Sequence, residues 1–404
     1  MTKSVFTPAD VILPEGVSFE KWSVIACDQF SSQPEYWERV RERVGQEPST
    51  LNMIVPEAYL NQVDMETEIQ KINRAMDGYL SSGLLRTIED SFIYVERTLS
   101  GGRVRRGLVG AVDLEEYDFS GVDAMILASE GTVLERLPAR ARVRRAVKLE
   151  SPHIITFIDD KDKTVIEPLS EKADFLSLLY DFDLMEGGGH IRGRRVSGDD
   201  ASAVMSAICM LYEKNRTVMV IGDGNHSLAA AKVYWDEIKR GLGGVGLETH
   251  PARRALVEVN NVYDDAVSFE AIHRVVFDVE PETLLYALMK ALPKGTDYML
   301  RWVSGCKSGE FGVKAKRIGD MLMAMQSVFD EYVAFTGCHI DYIHDEDSAT
   351  RLAKTDRSVG LLMPSMDKSE LFSMAGAKCL FPKKSFSVGH ARDKRYYLEC
   401  RKIV

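Results

Sequence analysis

The 404-residue chain is 45% hydrophobic and 28% charged, the balance of a globular protein, which excludes collagen-like and low-complexity chains. Its formal net charge of -10 argues against a general nucleic-acid binder, because phosphate contacts need a basic face. No run approaches the ~18 apolar residues that span a bilayer, and at roughly 150 residues per domain the length predicts two or three domains.

In chain order, the opening MTKSVFTPADVILPEG lacks the continuous apolar stretch of a signal peptide. Six cysteines without C-x-x-C spacing fit reduced thiols in the cytoplasm. Residues 11–13 and 22–26 read as short extended pieces. The stretch 34–44 opens on proline and has no internal breaker, which predicts a helix. A second helix is predicted over 63–82 from the spacing of Ile69, Ile72, Met76 and Leu80, with Gly83 as its stop. Segments 91–99 and 106–114 flank a Gly101-Gly102 turn and read as a hairpin with a basic arm at Arg103, Arg105 and Arg106. The stretch 136–148 carries six basic residues in thirteen, either a solvated helix face or an anion-binding one. A strand is expected over 153–158 and a flexible segment at GGGHIRGRRV. A helix over 199–214 and a strand over 257–262 follow. Near Asp278 the chain changes character, and helices at 282–292 and 318–332 alternate with strands at 298–303 and 359–363. The expected class is α/β (α+β), with a core over 1–276 and a smaller α+β domain over 277–404.

The most informative stretch begins with Val218-Met219-Val220-Ile221, a buried strand. GDGNH follows at once, and then Ser227-Leu228-Ala229-Ala230-Ala231-Lys232, rich in helix formers. Strand, glycine turn and helix start aim backbone N–H groups and the positive helix end at one spot, the natural place for an anion. Gly222 and Gly224 permit close approach and positive φ, while Asp223 and Asn225 can cap. No G-x-x-x-x-G-K-[ST] run exists, and Ser227 stands where a dinucleotide fingerprint needs glycine. Lys232 reads as a solvated charge. Cys338-His339, adjacent in sequence, makes no catalytic dyad. Asp341, His344, Asp345 and Asp347 lack the spacing of a calcium loop and read as an exposed acidic turn.

GDGNHSLAAAK resembles the D-G-[HN]-H-[RS]-x-x-A signature of the domain of unknown function 1015 family. Further anchors span the chain. Ala26-Cys27-Asp28-Gln29 stands where that family has Pro-Tyr-Asp. Glu130, Thr132, Arg136 and Leu137 are similar to its His-Glu-x-Thr segment. Ile272-His273-Arg274 matches its Thr-His-Arg, and Phe381-Pro382-Lys383-Lys384-Ser385 its Pro-x-Lys-Ser. Asn225 and Ser227 replace the first histidine and the arginine usual in the signature. The turn also resembles the phosphate-binding motif of the ParB/sulfiredoxin-like superfamily, which includes nucleotide-hydrolysing partition proteins, sulfiredoxins and free-serine kinases. That resemblance implies a ParB/sulfiredoxin-like core over 1–276 with a nucleotide or phosphate at the 222–227 turn.

The expected function is a nucleotide- or phosphate-dependent phosphotransferase acting on a small hydroxyl compound, with free serine suggested by analogy. Asp223 or Glu130 would serve as base, Asp223 alternatively as a metal ligand, and His226 would donate to phosphate. Gly222, Gly224, Asn225, Ser227, Arg142, Arg145, His273, Arg274 and Lys384 would hold the phosphates of a nucleotide or pyrophosphate with magnesium; Arg142 and Arg145, three apart, share a helix face. The alternatives are a regulatory nucleotide-binding module without catalysis and a ParB-like DNA-binding protein, which the net charge disfavours.

Overall fold

Alternating and continuous apolar stretches build a mixed sheet of eleven strands in the computed structural model, which describes residues 5–60, 62–120, 123–132 and 137–404. Its path runs through Leu178–Asp183, His190–Val196, Leu85–Thr98, Val104–Asp113, Arg254–Asn261, Ile155–Ile158, Met219–Asp223, Ile126–Ala128 and Tyr117–Asp118. Phe6–Thr7 and Ala9–Pro14 add to Val104–Asp113 and Leu85–Thr98. Parallel and antiparallel pairs alternate where the motif strand lies: Met219–Asp223 runs parallel to Ile126–Ala128 and antiparallel to Ile155–Ile158. A register shift between Ile221 and Asp223 sets the end of that strand beside Ile155.

The chain forms two compact units. The first comprises residues 1–128, 132–267 and 390–404, the second 129–131 and 268–389. The boundary expected at 276/277 therefore falls inside the second unit, at the end of the strand His273–Phe277, and the last fifteen residues belong to the first. The tail joins that unit through sheet bonds: Tyr396–Tyr397 pairs with Val24–Ile25, Arg401–Lys402 with Leu149–Glu150, and Cys400 bridges Ile12.

The core of the first unit packs the indoles of Trp22, Trp37 and Trp235 with Phe92, Tyr94 and many aliphatics. Helices form where expected, at Pro34–Val44, Met65–Ser81 and Gly198–Lys214. Within GGGHIRGRRV, expected as a flexible segment, His190–Val196 is a strand. Its neighbours require Gly193: a Cβ there would stand 2.1 Å from the Tyr180 ring.

The second unit has a five-stranded antiparallel sheet in the order Lys307–Val313, Lys294–Ser304, Ser358–Leu362, His273–Phe277, His339–Ile343. Helices Pro281–Ala291 and Ile318–Thr336 accompany it. Overall the protein is α+β. Among the described residues no helix is long and apolar enough to cross a membrane.

Candidate functional site

The motif turn closes the strand Met219–Asp223 and opens the helix Asn225–Leu242. Gly224 is the N-cap at φ +82, a left-handed conformation that L side chains adopt only at a cost, and it lies against the Ile154 backbone. The turn uses several of its own donors. Gly224 N–H donates to Asp223 Oδ1 at 2.9 Å, while Ser227 and Leu228 N–H both donate to Gly224 O. The expected cradle is thus partly filled from within, by the Asp223 carboxylate and the Gly224 carbonyl. Asn225 and His226 are the first two helical residues, both half-buried. Lys232 pairs with Asp236 one turn on.

Charged groups from distant segments meet here. Lys394, nearly buried, holds its Nζ 3.2 Å from Asp223 Oδ2. Arg140 lies 3.5 Å from Ser227 Oγ and pairs with Glu57. His153, 2% exposed, faces Asp28 with its Nε2 4.0 Å from Asp28 Oδ2. That Nε2 has no hydrogen-bond partner among the described residues. The other ring nitrogen, Nδ1, is 2.9 Å from the Tyr397 hydroxyl, which also accepts from Cys27 N–H.

Electrostatics divide these groups. Burial pushes the His153 imidazole below its ordinary value, outweighing Asp28 and Asp223, so the ring is neutral at neutral pH. Burial alone would raise the Asp28 carboxyl, but the Gln29 amide and the cations Arg140 and Lys394 hold it below the usual carboxylate range. Burial pushes the Cys27 thiol up to about 12, which removes it as a nucleophile. A carboxylate held ionised thus faces a neutral imidazole, with two cations beside the turn. Cys27, Arg140, His153, Ser227 and Tyr397 line a cavity of about 620 Å³.

Two of the arginines expected at the site do not line this cavity. Arg142 is exposed and pairs with Glu66, and Arg145 is exposed and pairs with Glu237. Glu130, His273, Arg274 and Lys384 belong to the second unit. There both Glu130 oxygens accept backbone N–H groups, from Lys384 and Ser385, and burial raises its carboxyl despite those bonds. It clamps a turn in which Lys384 has φ +59, so the turn occupies both oxygens that a base would use. Arg274, 1% exposed, donates to the Ile272 and Lys384 carbonyls, and burial lowers its guanidinium to about 10. His273 Nδ1 accepts from Met363 N–H. These are fold-holding contacts. Arg136 lies outside the described residues.

Asp28, singled out only as a family anchor, and Arg140, His153, Lys394 and Tyr397 are the site residues that sequence reasoning missed. A signal for Arg140 exists. Arg140, Val143, Arg144 and Val147 all line the cavity, at spacing i, i+3, i+4, i+7, and the two valines mark that face of the helix Leu137–Ala146 as the inward one. Asp345 caps the helix Glu346–Leu352, and the described residues hold no group of three or more His, Cys, Asp or Glu fit for a metal.

Among solved structures the chain is similar to SbnI with C-terminal truncation from Staphylococcus aureus, at 11% identity and TM-score 0.39, covering 70% of this chain and 82% of that one. It is similar to a free serine kinase in complex with AMP, at 11% identity and TM-score 0.39, over 71% of this chain and 90% of that one. A conserved hypothetical protein from Pyrococcus furiosus aligns at 10% identity and TM-score 0.37, over 71% and 92%. No curated protein matches. Residues 12–379 match the family described as "Protein of unknown function (DUF1015)", and the chain belongs to that family.

Proposed function

We propose that the first unit is a nucleotide- or phosphate-dependent phosphotransferase acting on a small hydroxyl compound. One observation carries the reading: an ionised carboxylate, Asp28, faces a neutral buried imidazole whose Nε2 lacks a partner among the described residues, beside a glycine turn flanked by Arg140 and Lys394. The 222–227 turn, read as ParB/sulfiredoxin-like, would take the donor phosphate in the cytoplasm.

The roles follow from hydrogen-bond chemistry. The Tyr397 hydroxyl has two acceptors in reach, His153 Nδ1 at 2.9 Å and Cys27 Sγ at 3.1 Å; donation to the imidazole nitrogen, the stronger acceptor, leaves the ring proton on Nε2, facing the Asp28 carboxylate. An acceptor hydroxyl beside Asp28 donates its proton to Asp28 Oδ2. Its oxygen forms the new O–P bond as the bond between the terminal phosphorus and the donor's bridging oxygen breaks. The leaving phosphate departs with that electron pair, against Arg140 and Lys394. Such transfer is mostly positioning and charge stabilisation, so few groups suffice. Asp223 is the carboxylate that would hold a magnesium carried by the donor's phosphates, where it would neutralise developing charge.

Calorimetric titration with ATP, ADP, pyrophosphate and inorganic phosphate tests the binding half. Wild type is expected to bind at least one, and Arg140→Ala to bind it roughly tenfold or more weakly, the order of a lost charge-assisted bond. Absence of binding across the series would remove the reading.

A further inference from the structure

The cavity of about 620 Å³ is many times the size of free serine and in the range that holds drug-sized ligands. Its wall beyond the charged end is aliphatic and sulfur-bearing: Met53, Met65, Met76, Ile54, Val143 and Leu149. The charged side chains that reach it are engaged with one another. Glu57 takes Arg140, and Glu150 takes Arg144 and Arg401. A heterocyclic base placed on this wall would have to leave its edge polar atoms without side-chain donors or acceptors, and burying such atoms unpaired is costly. An alkyl chain meets no such penalty. Methionines, unbranched and polarizable, adapt to a chain of variable shape.

We infer that the hydroxyl ligand of this site is an amphiphile: its hydroxyl lies at the end of the cavity lined by Arg140, His153 and Ser227, and an aliphatic body of several carbons fills the methionine-walled remainder. The inference rests on the reading of the site as a phosphotransferase and replaces free serine as the acceptor class. The cavity is continuous with the site, because His153, Arg140 and Ser227 border both.

The test is calorimetric titration of the full chain with two series, n-alkanols and n-alkyl phosphates, from methyl to octyl. Affinity is expected to rise about fourfold per methylene in both series, the ~0.8 kcal/mol of a buried CH₂, and to level off when the cavity is full. Val143→Phe and Met65→Phe, each checked for a native near-ultraviolet circular dichroism spectrum, are expected to flatten that rise. Equal affinity from methyl to octyl overturns the inference, as does an unchanged rise in both variants. Displacement of octyl phosphate by adenosine also overturns it, since a base then occupies the cavity. A rise in the alkanols with no gain from the phosphate head supports the amphiphile and removes the phosphotransferase. Phosphate binding without any chain-length dependence does the reverse.

Discussion

The Tyr397 hydroxyl stands 2.9 Å from His153 Nδ1, joining two buried residues 244 positions apart. The C-terminal tail is therefore a wall of the site, because the pairing of Tyr396–Tyr397 with Val24–Ile25 carries the phenol there. Tyr397→Phe keeps the ring and removes the oxygen, leaving a buried ring nitrogen and Cys27 N–H without that partner. Chemical denaturation should show a loss of about 1–3 kcal/mol. Ligand affinity should fall with it, since the His153 tautomer is no longer fixed.

Arginines on one helix should behave oppositely. Arg140→Ala removes a cation beside Ser227, and phosphate affinity should fall roughly tenfold or more. Arg142→Ala and Arg145→Ala break exposed ion pairs with Glu66 and Glu237. Their affinities should stay within twofold of wild type, and stability should change by less than about 1 kcal/mol. Equal losses in all three would mean that the basic helix acts through its net charge.

Gly224→Ala forces a side chain into φ +82 and sets a Cβ 3.0 Å from Ile154 Cα. The strain should lower stability by about 1–3 kcal/mol. Phosphate binding should weaken as well, because the same turn positions Ser227.

The tail is also held by charge. Arg395, 4% exposed, donates to Glu258 and Glu399, and the Tyr180 hydroxyl donates to the other Glu399 oxygen. Arg395→Ala leaves two buried carboxylates short of a partner and should cost about 3–5 kcal/mol. The pH dependence has a definite sign. Burial alone would raise the Glu258 carboxyl, but Arg105 and Arg395 hold it below the ordinary value of 4.5. Its contribution is present above that value and is lost as pH falls through the lower folded one. His153, also lowered in the fold, adds a loss that begins as pH drops below about 6.5, where the unfolded chain takes up the proton first. Thermal midpoints measured from pH 8 to 3 should therefore decline in two stages. His153→Gln should shrink the upper stage, the remainder coming from His273, which burial also lowers.

What was legible in the sequence was local. Helices with a proline start or regular apolar spacing, such as Pro34–Val44, form where the pattern puts them. The strand–turn–helix at 219–242 was read from four apolar residues and two glycines. The strand His190–Val196 was hidden because three glycines precede it; it pairs both with Leu178–Asp183 just before it and with Leu85–Thr98 far back in the chain. The site was half legible for the same reason. Gly224 and Asp223 announce themselves within five residues. His153 and Lys394 carry no local signal, since only sheet register and the returning tail bring them to the turn. The spacing of Arg142 and Arg145 identifies a shared helix face but does not say which face turns inward.

Phosphorus-31 NMR tests the central claim most directly. The protein is incubated with ATP or pyrophosphate, magnesium, and a panel of hydroxyl compounds running from serine to alkyl-chain amino alcohols. A phosphomonoester resonance should grow as the donor's terminal phosphate disappears, and Asp28→Asn should slow it by about 10²-fold or more, the loss expected when a general base is removed. A donor spectrum that never changes with wild type, or transfer at an equal rate in Asp28→Asn, would contradict the account.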